Sequence, residues 1–235
     1  LKTILKEIEF HQNYVGEGFL HPPDNQMNRV NIFGEISHLE GFLEDKLYCF
    51  YEFDIPSLGW KIDDENEYFE IYKKENLLEE NINKLKSVTQ KSECITNKEG
   101  NFQCNLSFPF ELELLAHDKV MDKLWPKLLI QINSVDSWER HRIEGYTFIN
   151  VPNRSGFDQI KIPCYKPKED LSMNIFTQFL GGSRRIPDIK DIARTCSMNE
   201  NEVPVALNKY GIKSEFTGYV YVNLNVSVQK REVSE

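Results

Sequence analysis

Hydrophobic and polar residues alternate with a period of two over much of this chain, and the longest alternation starts at Phe102. In NFQCNLSFPFELELL, Phe102, Cys104, Leu106, Phe108, Phe110, Leu112 and Leu114 fall on one face, and Gln103, Asn105, Ser107, Pro109, Glu111 and Glu113 on the other. Successive side chains of a strand point to opposite faces, so this segment reads as one long half-buried strand. Pro109 lies on the polar side and cannot donate to a ladder, which predicts an edge position or a bulge there. YVYVNLNVSVQ, from Tyr219, repeats the pattern with Val220, Val222, Leu224, Val226 and Val228 inward. Shorter strands are expected at 30–36, 46–55, 127–135, 143–151 and 157–163, separated by turn signals such as GFLEDK, PNRSG and YKPKED. In the strand from Ile143, the pattern puts Ile143, Gly145, Thr147, Ile149 and Val151 on one face and Glu144, Tyr146 and Phe148 on the other, with Gly145 allowing a close backbone approach. About seven or eight strands with few helices predict an antiparallel all-β sandwich or barrel.

Two regions break this rhythm. Residues 61–100 are rich in Lys, Glu and Asn, and Leu77, Leu78, Ile82 and Leu85 recur at helical spacing, so the segment reads as a charged insertion with one short helix. A second short helix is expected from about Ser172, stopping at Gly181-Gly182. Residues 1–28 read as a leader, 29–229 as one domain carrying the insertion, and 230–235 as a tail. The first residue is Leu1 and no signal peptide is visible, so the chain is expected to be part of something longer.

Composition narrows the function classes. The net charge of −9 disfavours nucleic acid as a bulk partner, because phosphate binding needs a concentrated positive field. No apolar run is long enough to span a membrane. The five cysteines are odd in number and form no C-x-x-C pair, which argues against a zinc site or a disulfide framework and fits a reducing compartment. His11, His21, His38, His117 and His141 are dispersed, and no nucleophile, phosphate-loop or metalloprotease motif occurs. No catalytic residue and no cofactor is expected.

The chemistry that remains lies in DSWERHRIEGY, residues 136–146, between two strand-like runs. Calcium needs six to eight oxygen ligands and therefore clustered carboxylates. Asp136 stands where a first acid would, but Trp138 occupies the position of a second, and Asp54, Asp63 and Asp64, around the loop after the second strand, are poorly spaced, so no metal is expected. Trp138 either plugs the end of the core, the plainer reading, or is shown to a partner. In the second case Trp138, Arg140, Arg142 and Tyr146 are the contact candidates, since aromatics and arginines dominate interface hot spots. Trp125 is assigned to the core. Lys161, Lys166, Lys168, Arg184 and Arg185 are the nearest approach to a basic cluster for lipid headgroups.

GEI at 34–36, WPKLLIQINSVDSWERHRIEGYTFINVP at 125–152, FLGGSRRIPDI at 179–189 and YGIKSEFTGYVYVNLNV at 210–226 resemble the B9 domain family, a divergent C2-like group of ciliated organisms. The resemblance covers roughly 30–228 and is strongest to the larger of three B9 members. It implies a C2-like β-sandwich and a non-enzymatic assembly role. It also implies partnership with the two smaller B9 proteins at the cytoplasmic side of the ciliary transition zone and basal body, in ciliogenesis and in gating ciliary entry. The alternative is a module that binds anionic membrane lipid, such as phosphoinositides, without calcium.

Overall fold

Alternating sequence becomes paired strand wherever one face can be buried. The computed structural model describes residues 27–56, 58–62, 85–96, 100, 102–117, 121, 124–168, 186, 188–193, 196–198, 204–206 and 213–230. In these, β1 (Met27–Glu40), β2 (Lys46–Asp54), β3 (Trp60–Ile62), β4 (Lys86–Val88), β5 (Ser92–Thr96) and β6 (Phe102–His117) precede β7 (Lys127–Val135), β8 (His141–Asn150) and β9 (Gly156–Pro167). A 3-10 turn at Ile189–Ile192, the small hairpin of β10 (Cys196–Met198) and β11 (Pro204–Ala206), and β12 (Ser214–Gln229) follow. The leader (except the start of β1), Leu77, Leu78 and Ile82 of one expected helix, the other expected helix from Ser172, Gly181-Gly182 and the tail from residue 231 lie outside the described residues.

Pairing is antiparallel throughout, and β1 is its hinge. β1 pairs with β12 along one side and with β6 along the other. The order β1-β12-β9-β8-β7-β2-β5-β6 therefore closes on itself. The expected sandwich of two separate sheets is replaced by a barrel-like closed sheet. The reason lies in three long strands, β1, β6 and β12, of 14, 16 and 16 residues, which bend instead of ending. Register shifts between Ile36 and His38 in β1 and between Phe216 and Gly218 in β12 supply the bends, and Ser107 in β6 has φ 45°. An extra residue on one strand increases twist and lets a sheet turn a corner. Two seams are thin: β8 meets β9 only at Tyr146↔Tyr165, and β2 meets β5 only at Lys46↔Glu93 and Leu47↔Ser92.

The core fills the space enclosed. Val30, Ile32, Ile36, Leu114, Val220, Val222 and Leu224 are all fully buried, as the alternation requires. Gly34 sits in this inward row because Phe110 lies across it: a Cβ there would stand 2.3 Å from the Phe110 ring. Trp60 and Trp125 meet edge to face at 5.3 Å, and Trp125 is packed against the core as assigned. Pro109 pairs with Glu35 of β1; on its other side, β5 reaches only Phe102–Cys104 and β3 only Leu114–Ala116, so its missing donor costs no ladder bond there.

Three expectations change. The supposed insertion supplies two strands, β4 and β5, and Leu85 packs on the core, so residues 85–96 belong to the barrel. In β8, a register shift opposite Ile132 and Asn133 moves Ile143 onto the side of Tyr146, not of Gly145. Finally, Cys94 and Cys104 are disulfide-bonded. Sequence spacing hid this pair because it forms across strands: Cys94 lies directly opposite Cys104, with Cα atoms 4.2 Å apart. Cys49 and Cys164 are free and buried, and burial pushes the Cys164 thiol up to about 12.

The bond clips the strand that closes one seam. We expect the unfolded, unreduced protein to titrate two fewer thiols than its five cysteines would give. Cysteine-to-serine substitution of the pair should remove about 2–3 kcal/mol, or about 5–10 °C of thermal midpoint by calorimetry.

Candidate interaction site around the β7 to β8 turn

Asp136 builds this turn. Its backbone N–H donates to the Arg140 carbonyl at 3.1 Å, and the Glu139 N–H donates to the Asp136 carbonyl at 3.0 Å. Glu139 takes the left-handed conformation, φ 61°, that such a reversal requires. Carboxylate oxygen Oδ1 accepts the N–H groups of Trp138 and Arg140, both at 2.9 Å. Oδ2 accepts Arg140 Nε at 2.7 Å and Arg142 Nη2 at 3.2 Å. Desolvation alone would push this carboxyl up. The bonds from the Arg140 backbone and guanidinium and from the Trp138 N–H outweigh it and hold the pKa below the usual aspartate value.

That anchoring decides where Trp138 goes. The expected core plug is instead 68% exposed, because Asp136 gathers the backbone of residues 138–140 beneath it and turns the indole outward. The Arg140 guanidinium lies over the ring, 4.3 Å from its centroid. Arg142 is mostly buried against Asp136. Tyr146 presents no surface: it is 3% exposed, packs with Leu129 and Ile189, and its hydroxyl accepts the Ile186 N–H at 3.1 Å. Alternation did place it on the outer face, but the segment from Ile186 to Ile192 covers that face. Gly145 provides the close approach expected of it, since a Cβ would stand 2.7 Å from Thr217 Oγ1.

The residues do not fit a calcium site. Both oxygens of Asp136 are engaged by donors of the chain itself. Asp54 ends β2 opposite Lys127, whereas Asp136 follows the end of β7 that faces the start of β2. A nine-residue strand separates them, about 27 Å. Asp63 and Asp64 lie outside the described residues, among which no three His, Cys, Asp or Glu side chains are grouped to hold a metal.

The basic candidates are dispersed. Lys161 lies midway along β9, 4.0 Å over the Tyr219 ring and 3.6 Å from Glu40. Lys166 stands between Glu144 and Glu215, at 3.7 Å from each. Lys168 follows the end of β9, where its backbone N–H donates to the Lys213 carbonyl. Arg184 and Arg185 are outside the described residues. No helix among the described residues is long and apolar enough to cross a membrane. A groove over β2 and β7, lined by Tyr48, Phe50, Glu52, Gln131 and Asn133, offers a small ligand few free polar groups. Gln131 donates to Asn133, Glu52 pairs with Lys190, and Tyr48 bonds His141.

Alternation missed the exposed side chains at the end that carries Trp138, including Phe102, 55% exposed although it was placed on the inward face, and Ile95, 56% exposed. Leu43, in the β1–β2 loop, is 98% exposed, Phe216 at the start of β12 is 50% exposed, and Tyr165 at the end of β9 is 47% exposed. An apolar residue inside the turn GFLEDK was the available signal for Leu43.

Asp136→Ala should lower the thermal midpoint by a few degrees at neutral pH. A carboxyl whose folded pKa is depressed stabilises above its unfolded value of about 3.9, and the contribution disappears as pH falls through the folded value. Melting curves of wild type and variant are therefore expected to converge in acid.

A family model described as ciliary basal body-associated B9 protein (B9-C2) matches residues 30–227. Tectonic-like complex member MKS1 of Rattus norvegicus is 27% identical over 213 residues, which cover 88% of this chain and 34% of that protein. The Homo sapiens MKS1 is 25% identical over the same shares. B9 domain-containing protein 2 of Xenopus laevis is 20% identical over 206 residues, covering 88% of this chain and 96% of the relative. The chain thus spans about a third of the length of the MKS1 proteins it matches. With the family match extending from β1 to β12, the chain belongs to the ciliary basal body-associated B9 family.

Proposed function

We propose that this chain is a non-enzymatic assembly module of the ciliary basal body and transition zone, which binds the two smaller B9 domain proteins. In that role it serves ciliogenesis and the gating of ciliary entry from the cytoplasmic side. The observation that carries the reading is Trp138, a large aromatic held exposed by a rigid turn in a domain that matches both MKS1 and B9 domain-containing protein 2. A large aromatic held in place on a rigid turn loses little freedom when a partner covers it, and Trp and Arg are both enriched in interface hot spots. Arg140, stacked on the indole, is part of the same contact, and Arg142 supports it from below through Asp136.

Mixing the purified chain at micromolar concentration with the same organism's two smaller B9 proteins should give co-elution with at least one of them in size-exclusion chromatography. If each elutes unchanged, the assembly reading is lost.

A further inference from the structure

The end of the barrel that carries Trp138 holds a second feature, the loop between β1 and β2. Gly41 donates its N–H to the Phe102 carbonyl at 3.1 Å, and the Asp45 carbonyl accepts the Cys94 N–H at 2.7 Å. Phe42, 4% exposed, is driven into the core against Gly218, where a Cβ would stand 2.7 Å from its ring. A loop tied at three points cannot fold its apolar tip inward, and Leu43 remains 98% exposed. At the same end, Tyr165 and Phe216 meet edge to face at 6.1 Å, both about half exposed. Exposed apolar side chains on preorganised elements lose little freedom when a partner covers them.

Charge selects among the partners. Arg140 and Arg142 are engaged by Asp136, and Lys166 lies between Glu144 and Glu215. Glu44, next to Leu43, is half-buried, and its carboxylate has no hydrogen bond or ion pair among the described residues. Burial, and then repulsion from Glu144, pushes its pKa up, against the weaker pull of Arg142 and Lys166. An acid in that position is relieved by an added cation and aggravated by an added anion. The rim between Leu43 and Trp138 therefore suits a basic side chain and opposes an anionic headgroup.

We infer that this end is the docking surface for a protein partner that brings a lysine or arginine to Glu44 and covers Leu43 and Trp138 with apolar side chains. The inference rests on the assembly reading and assigns that reading its surface and the chemistry of its partner. It adds Leu43, Glu44, Tyr165 and Phe216 to the contact and removes Tyr146.

The test measures binding of the full chain to each of the same organism's two smaller B9 proteins by calorimetry over a range of salt, and the variants are compared on whichever binds. Leu43→Asp, Trp138→Ala and Glu44→Lys should each weaken binding by about tenfold or more with an unchanged thermal midpoint, since these positions carry little of the core. Glu44→Gln should bind with a flatter salt dependence than wild type. If wild type binds and the variants bind equally well, the surface lies elsewhere and the assembly reading survives alone. If wild type binds neither smaller B9 protein, the assembly reading fails and takes this inference with it. Flotation on phosphatidylserine and phosphoinositide vesicles that is abolished by Leu43→Asp and Trp138→Ala would assign the end to a membrane and overturn the proposal. Concentration-dependent dimerisation of the chain alone, lost in the same variants, would overturn it in favour of a second copy.

Discussion

The double pairing of β1 is the constraint on which the rest of the molecule depends. One strand forms ladders with β12 and with β6 at once, and the bulge after Ile36 is shared by both ladders. A sheet that closes has no free long edges there, so the two 16-residue neighbours of β1 are protected from pairing with other chains. Closure also fixes the direction of every strand end. β1 and β7 end, and β2, β8 and β12 begin, at one rim, and the loops that leave it must lie side by side. The juxtaposition of Leu43, Glu44 and Trp138 is a consequence of that topology and is not coded by any local motif.

Barrel closure is uneven. The β1–β6 and β9–β12 ladders are long, while β8–β9 and β2–β5 meet over one and two residue pairs. Each thin seam is reinforced by something other than backbone pairing. Beside β8 and β9, Thr147 Oγ1 donates to the Pro163 carbonyl at 2.8 Å and Gly145 lets Thr217 approach. Beside β2 and β5, the Cys94–Cys104 bond joins β5 to β6, and the Asp45 carbonyl accepts from Cys94. At the β8–β9 seam a side-chain bond thus stands in where ladder bonds run out, and beside the β2–β5 seam the covalent clip fixes β5 on β6.

How much of this could be read beforehand follows the physics of each signal. Alternation is local, so the inward rows of β6 and β12 were legible over Cys104–Leu114 and Val220–Val226, but it failed at Phe102, which stands 55% exposed where β6 begins at the rim. It fails wherever one residue is inserted: the bulge in β8 reassigned Ile143, and nothing in IEGY distinguishes a bulged strand from a regular one. Long-range facts were invisible for a different reason. Cys94 faces Cys104, and Asp54 stands at the far end from Asp136, only because of which strands pair. For the site, residue type singled out Trp138 and Arg140, but not the exposure of Trp138, which four donors around one carboxylate decide. Tyr146 shows the opposite error, an outer-face residue that a later segment covers.

Asp136 also explains why this rim is permanently formed. In a cation-dependent loop, carboxylates repel one another until an ion arrives, so order and binding are conditional on it. Here two guanidinium groups neutralise Asp136 from within the chain, and two backbone N–H groups complete its coordination. The turn has nothing left to accept and no repulsion to relieve. Its shape is therefore independent of the ionic composition of the medium, and so is the outward pose of the indole. Recognition built on such a turn depends on complementary surface: apolar contact with Trp138 and Leu43, and a counter-charge for Glu44, a half-buried acid of the rim whose pKa burial and Glu144 raise.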